Sequence, residues 1–170
     1  MIVALKTIRK SSATALTAVL LAVGVAATPA LAETPLDQTG IAIVVHKASP
    51  MEDLSMAELR NVFLANQQFW PDRSRITLLI RAPQSDERDY VLDTIYQMDE
   101  AKFRQYWIAK MFRAEVARGP KIVFSTDMTL DLVVAIPGSI SFMRADQVTD
   151  DVKVIRVDGR LPGEDGYPLK

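Results

Sequence analysis

Short apolar segments rich in β-branched residues alternate along the chain with segments of helical periodicity, and this alternation constrains the fold most. The segment 41–46 is continuously apolar, a pattern typical of a strand covered on both faces. The other predicted strands are 76–80, 121–124, 139–143 and 152–157. With the helices between them, the predicted order is β-α-β-α-α-β-α-β-β. It indicates an α/β domain with a central, mostly parallel or mixed sheet and helices on both faces.

Polar side chains predict where the helices begin. Ser55 and Glu58 have the spacing of a capping box, in which each side chain accepts a hydrogen bond from a backbone amide of the other. Ser85, Asp99 and Ser125 or Thr126 precede the other helical segments. Apolar residues at three- and four-residue spacing predict the buried helix faces: Leu59, Val62, Phe63, Tyr90, Val91, Leu92, Ile95, Phe103, Tyr106, Trp107, Met111, Leu130, Val133, Val134 and Ile136.

Residues 1–32 have the pattern of a secretory signal. Three basic residues precede an apolar stretch, and Ala30-Leu31-Ala32 forms a small-x-small cleavage site. Threonines dilute the stretch and no basic cluster follows it, which favours cleavage over a membrane anchor. We therefore expect a periplasmic protein with no membrane insertion after cleavage. Residues 33–40 are predicted to be a flexible leader, 41–157 the folded domain and 158–170 a C-terminal tail rich in glycine and proline.

Charge and residue content exclude several classes of function. Only three of the 20 basic residues and none of the 21 acidic ones lie in segment 1–32, so the exported part has a net charge of −4. A protein with this charge lacks the basic face that nucleic acid requires. Cysteine is absent and His46 is the single histidine, so neither a zinc cluster nor a cysteine nucleophile is available. No cofactor or metal is implied.

One strand end and the helix after it carry the parts of an anion site. Arg81 closes a predicted strand, and Ser85 caps the helix that begins with Asp86 and Glu87. A guanidinium, a hydroxyl and the amides at a helix start are the groups that bind oxyanions, and Arg88 offers a second cation. An ordinary capped helix beside a surface arginine fits the same residues.

Asp86 and Glu87 add negative charge where an anion would bind. The helix dipole contributes about 0.3–1 kcal/mol to an anion. A carboxylate about 4 Å from a bound anion opposes it by on the order of 4 kcal/mol at an effective dielectric of 20. These side chains must therefore turn away, or one must accept a proton from the ligand, which would favour hydrogen phosphate.

Two catalytic readings have less support. His46 follows the first strand and could face the cleft, although a lone histidine there is more often structural. Asp86, Glu87 and Asp89 are sequence neighbours at a helix start rather than carboxylates on opposite walls of a pocket. The chain is therefore not expected to be an enzyme.

Six segments in order resemble the type II periplasmic solute-binding proteins, above all the phosphate-binding subunit of ABC transporters and its short, single-lobe relatives. They are the strand 41–45, the capped helix 54–64, the turn Trp70-Pro71-Asp72, the strand end and helix start 81–88, the aromatic helix 103–107 and the strand 136–142. Arg73 stands where the family usually has glycine, and Asp86-Glu87 stand where it has Gly-Thr.

The resemblance implies a single-lobe, non-catalytic domain that binds a small oxyanion such as phosphate, weakly, or serves a related sensing role. It assigns binding to Arg81, Ser85 and the backbone of Asp86 and Glu87, to which the residue chemistry above adds Arg88 as a second cation. The partners that it implies are ABC transporter membrane subunits or another periplasmic protein. The alternative function is an interaction or assembly module that keeps the fold without a ligand.

Overall fold

The computed structural model describes residues 40–170. The predicted signal and residues 33–39 of the predicted leader lie outside this range. Within it, no helix has both the length and the apolar character needed to cross a membrane.

The elements follow the predicted alternation, with two short additional strands. The strands are β1 (Ile41–His46), β2 (Asp53–Leu54), β3 (Thr77–Arg81), β4 (Lys121–Val123), β5 (Ser139–Arg144), β6 (Val152–Val154) and β7 (Arg156–Val157). The helices are α1 (Met56–Phe63), α2 (Asp86–Val91), α3 (Glu100–Phe112) and α4 (Thr126–Ala135). A π-helical turn (Leu92–Tyr96) continues α2, and a 3-10 turn (Ala145–Gln147) follows β5.

The predicted caps are confirmed, and they explain where the helices begin. Ser55 accepts a hydrogen bond from the Glu58 amide at 3.2 Å, and Glu58 accepts one from the Ser55 amide at 2.9 Å. Ser85, Asp99 and Ser125 cap α2, α3 and α4, and each side chain accepts a hydrogen bond from the amide of the third residue of its helix. Each cap satisfies an amide that has no partner inside the helix.

A mixed sheet forms the centre, as predicted; it has five strands, in the order β4-β3-β5-β1-β6. β3 runs parallel to both β4 and β5, whereas β1 runs antiparallel to β5 and β6. The carboxyl ends of β3, β4 and β5 therefore lie at one edge of the sheet, together with the amino end of β1. β2 and β7 form a separate parallel pair.

Both faces of the sheet are covered. Alternate residues of β1 point to opposite faces, so Ile41, Ile43 and Val45 join the larger apolar cluster, which includes the buried faces of α1 and α3. Ala42 and Val44 join a smaller cluster with Val133 of α4. This two-sided burial explains why the segment is apolar without alternation.

Three predicted details differ. The predicted strand 152–157 is two strands, because Val152–Val154 pairs with β1 whereas Arg156–Val157 pairs with β2. Met111 and Val134, predicted to be buried, are exposed. Spacing along a helix predicts an apolar face, but it does not show how wide a strip of that face the neighbouring elements cover.

Residues assigned to a tail pack into the core. Leu169 is fully buried, and its carbonyl accepts a hydrogen bond from the Ile41 amide at 2.8 Å. Tyr167 is also buried and donates to the Ile41 carbonyl at 2.7 Å. A Cβ on Gly40 would meet the Leu169 carbonyl oxygen at 2.7 Å, so the close approach of the two segments requires glycine. The packed unit thus extends through residue 169.

The turn after α1 accounts for one departure from the family pattern. The Trp70 indole donates to the Gly138 carbonyl at 3.0 Å and anchors the turn in the core. Asp72 accepts hydrogen bonds from the amide and the hydroxyl of Ser74. Arg73 has φ +68°, in the left-handed region that glycine occupies most readily. The backbone at Arg73 therefore adopts a conformation that glycine reaches without steric cost.

Tyr96 and Tyr167 form a natural pair for measuring buried hydroxyls. The Tyr96 hydroxyl is buried and has no hydrogen-bond partner among residues 40–170, whereas the Tyr167 hydroxyl donates to the Ile41 carbonyl. An unsatisfied buried polar group costs about 1–3 kcal/mol. We expect Tyr96→Phe to raise the free energy of unfolding by about 1 kcal/mol and Tyr167→Phe to lower it by a similar amount, measured by urea denaturation at neutral pH.

The same pair predicts alkaline behaviour. Burial raises the pKa of the Tyr96 phenol well above its usual value and also raises that of Tyr167. The two phenols therefore ionise near pH 10 in the unfolded chain but stay neutral at that pH in the folded protein. Their contribution to the free energy of unfolding is present below about pH 10 and is lost as the pH rises above it. Tyr96→Phe should reduce the loss, and equal alkaline curves for wild type and variant would contradict this account.

Candidate functional site

Arg81 is the last residue of β3 and lies at the edge of the sheet where the parallel strands end. It pairs with Val123 of β4. Its side chain is 13 % exposed, and its Nε and Nη1 are buried without a hydrogen-bond acceptor among the described residues. A guanidinium carries five N–H donors in a fixed planar arrangement. Such a group, buried and unsatisfied, is suited to receive an oxyanion.

Glu87 is the carboxylate that faces this guanidinium. Its Oε2 lies 3.9 Å from Arg81 Nε, and its side chain is equally buried. The separation is too long for a hydrogen bond. The two charges therefore attract each other, but the donors of Arg81 remain unsatisfied. Glu87 does not turn away from the site, so an incoming anion must share the space with a carboxylate.

The loop between β3 and α2 sets the position of Ser85. Gln84 has φ +70°, a conformation uncommon outside glycine, and it turns the chain into the helix. The Ser85 hydroxyl accepts a hydrogen bond from the Arg88 amide at 3.3 Å, and its carbonyl accepts one from the Asp89 amide at 3.0 Å. The first backbone amides of a helix have no acceptor within the helix. At the start of α2 these donors are the amides of Asp86 and Glu87.

Arg88 lies in a buried network beside the end of β3. Its Nε and Nη2 donate to the Glu100 carboxylate at 2.9 and 3.0 Å, and its Nη1 donates to the Arg81 carbonyl at 2.7 Å. The guanidinium also stacks 4.8 Å from the centre of the Phe103 ring. All three nitrogens thus have partners within the fold. Its Nη1 contact links Arg88 directly to the backbone of Arg81.

Arg144 is a second arginine in the same region, and sequence reasoning missed it. It ends β5, the strand parallel to β3. Arg144 donates hydrogen bonds to the Asp146 carboxylate at 3.1 Å, and these bonds raise the pKa of Arg144 above its usual value. An arginine after the predicted strand 139–143 was the available signal, but only the strand order brings it towards Arg81.

The charges of this edge restrict the ligand. Each arginine at this edge has one carboxylate near it: Glu87 Oε2 lies 3.9 Å from Arg81 Nε, and Asp146 accepts hydrogen bonds from Arg144. A fully ionised anion bound at Arg81 would be repelled by the Glu87 carboxylate. An oxyanion that carries a proton can instead donate it to a carboxylate oxygen while accepting from the arginine.

His46 does not belong to this site. It ends β1 at the edge opposite Arg81, because the start of β1 is what pairs with Arg144. Its Nδ1 accepts a hydrogen bond from the Ala48 amide at 3.0 Å, which gives the ring a local structural contact. Over residues 40–170, no three metal-ligating side chains are grouped so that they could hold an ion.

Several solved structures of phosphate-binding proteins have a similar fold. An ABC-type phosphate transport receptor from Vibrio cholerae is 20% identical with a TM-score of 0.59, over 72% of this chain and 48% of the receptor. PstS from Borrelia burgdorferi is 11% identical with a TM-score of 0.60, over 76% and 53%. The phosphate-binding protein from Stenotrophomonas maltophilia is 18% identical with a TM-score of 0.54, over 73% and 40%.

Other comparisons give no match. No protein-family model matches the chain, and no curated protein does. The chain spans about half the length of the solved structures that it resembles. The likeness to these receptors, together with the mixed sheet and its two helical layers, shows that this chain has the α/β fold of the phosphate-binding proteins of ABC transporters.

Proposed function

We propose that this protein is exported to the periplasm and binds a small, proton-bearing oxyanion such as hydrogen phosphate at the sheet edge. The observation that carries the proposal is the buried Arg81 guanidinium, whose Nε and Nη1 have no acceptor in the described part of the chain. The structures of similar fold include phosphate-binding receptors, which supports phosphate as the first ligand to test. The implied partners are ABC transporter membrane subunits or another periplasmic protein.

Each residue has a distinct role in this proposal. Arg81 donates to two ligand oxygens, and Ser85 offers its hydroxyl beside the amides of Asp86 and Glu87. The Glu87 carboxylate accepts the proton of the ligand. Arg88 holds the Arg81 carbonyl in place at 2.7 Å. The lobe described here would cover one side of the anion, so we expect weak binding unless a second surface covers the other side.

Phosphate is expected to stabilise the wild-type protein, and Arg81→Ala should remove this effect. Ligand at a hundredfold excess over its dissociation constant raises the free energy of unfolding by about 2.7 kcal/mol. Thermal unfolding with and without phosphate at constant ionic strength measures the difference. Arg104→Ala is the matched control, because Arg104 is exposed on α3 and forms no ion pair in residues 40–170. It should keep the full phosphate-dependent shift.

Glu87→Gln tests the role of the ligand proton. Sulfate carries no proton at neutral pH, so the carboxylate of the wild-type protein should repel it. Glutamine removes that charge and adds two donors. We expect sulfate to stabilise Glu87→Gln but not the wild type. Equal responses of the wild type to phosphate and sulfate would contradict the role of Glu87.

A ligand-free interaction or assembly module is the second candidate. The observation in its favour is Glu87 itself, which places a carboxylate of the protein 3.9 Å from Arg81, where a ligand anion would otherwise bind. If this function is correct, neither phosphate nor sulfate will shift the unfolding of the wild type or of Arg81→Ala. That result would reject the oxyanion site and leave the fold assignment unchanged.

A further inference from the structure

A cavity of about 290 Å³ lies at the opposite end of the sheet from Arg81. It is lined by the residues that lead into β3 and by Lys121, the first residue of β4. β3 and β4 are parallel, so the cavity lies at their amino ends. Thr77, which lines the cavity, and Arg81 are four residues apart on β3, about 13 Å along the strand, and Arg81 does not line the cavity. This cavity is therefore not part of the oxyanion site.

Three basic residues line the cavity and no acidic one does. They are Arg75, Arg118 and Lys121, all exposed. Across the described residues, none of the three forms an ion pair, unlike Arg88, Arg144 and Arg156. Their side chains also donate no hydrogen bond within that range. Three cations without counter-charges around one cavity favour an anionic ligand.

The deeper wall of the cavity is apolar. Val62, Leu78, Trp107 and Val116 contribute to it, and all four are buried. The Trp107 indole N–H has no hydrogen-bond partner among the described residues, although a buried tryptophan usually finds one. An apolar wall with a few polar and charged groups at its mouth is the usual composition of a small-molecule site, and the volume is at the lower end of that class.

We propose that this cavity binds a small organic anion, with its flat apolar body against Trp107 and its carboxylate between the three basic residues. Inorganic phosphate has no apolar body to fill this cavity. It suits the site at Arg81 and does not suit the cavity. The proposal does not depend on the oxyanion site, because the two sets of residues do not overlap.

The test compares 1-naphthoate with 1-naphthamide, which has nearly the same shape and no charge. The protein contains two tryptophans. Their indole N–H signals are to be assigned by comparing the NMR spectra of Trp70→Phe and Trp107→Phe with that of the wild type. We expect 1-naphthoate to shift the Trp107 signal saturably. Trp70 does not line the cavity, so its signal should shift less than that of Trp107. 1-Naphthamide should bind at least about fivefold more weakly.

The basic residues are tested by the double substitution Arg118→Ala and Lys121→Ala. Both side chains are exposed, so the fold should survive, as circular dichroism will show. We expect the double variant to bind 1-naphthoate about tenfold more weakly and Arg104→Ala to bind it normally. The proposal is overturned if 1-naphthoate leaves the Trp107 signal unchanged, if 1-naphthamide binds equally well, or if the double variant keeps wild-type affinity.

Discussion

Leu169→Ala is expected to lower the free energy of unfolding by about 2–5 kcal/mol. The Leu169 side chain is fully buried in the larger apolar cluster, and its carbonyl holds the Ile41 amide at the start of the central strand β1. The substitution removes apolar contact and leaves a cavity in a region where the backbone is held by hydrogen bonds. Urea denaturation followed by circular dichroism measures the change.

Deletion of residues 167–170 should have a larger effect. It also removes Tyr167, which is buried and donates to the Ile41 carbonyl at 2.7 Å. The combined loss approaches the total stability of a typical domain, about 5–15 kcal/mol, so the shortened chain should be largely unfolded at 25 °C. Lys170→Ala is the control, because Lys170 is exposed. A wild-type urea midpoint for the shortened chain would show that these residues are not part of the core.

Glu100→Ala is expected to lower the free energy of unfolding by about 3 kcal/mol, near the lower end of the range for a broken buried ion pair. The Arg88 side chain is only 3 % exposed and would lose its bidentate partner, which leaves a buried charge. The Glu100 side chain is 34 % exposed, so water already screens one side of the pair and limits the cost. Asp127→Ala is the matched control, since Asp127 is an acidic residue in the first turn of α4 without an ion pair in residues 40–170.

Comparison of Arg88→Met with Glu100→Ala distinguishes the destabilisation caused by an unpaired buried charge from the stability that the ion pair contributes. It removes the cation and keeps an unbranched apolar side chain beside Phe103, so we expect it to destabilise less than Glu100→Ala. Adding Arg88→Met to Glu100→Ala should recover part of the lost stability, because the charge is then gone. If the two substitutions are additive, the ion pair contributes nothing and the account above is wrong. Both Arg88 variants should also weaken phosphate binding, since Arg88 holds the Arg81 carbonyl.

Local sequence patterns predicted the elements well because their causes are local. The capping box at Ser55 and the cap at Asp99 are hydrogen bonds over three residues, so the sequence contains both partners. The continuous apolar run of β1 predicted a strand covered on both faces, and its residues do alternate between the two clusters. The predicted order of strands and helices, and with it the α/β class, followed from these short-range features.

The candidate site was predictable only in part. Arg81 and Ser85 lie on either side of one short loop, so sequence reasoning could place them together. The partner of Arg88 could not be found in the same way, because Glu100 lies twelve residues away on the next helix. Nor could the position of Glu87 be predicted, since its side chain could equally have pointed into solvent.

Local sequence patterns were enough to predict the helices and strands, the helix caps and an arginine at the end of β3. The tertiary structure was needed to show which strands are neighbours. It places Arg144 at the same edge of the sheet as Arg81 and His46 at the opposite edge. It also decided that Tyr167 and Leu169 close the core beside Ile41. The physical reason is that strand pairing and core packing join residues more than a hundred positions apart, and the patterns within a short segment carry no record of those partners.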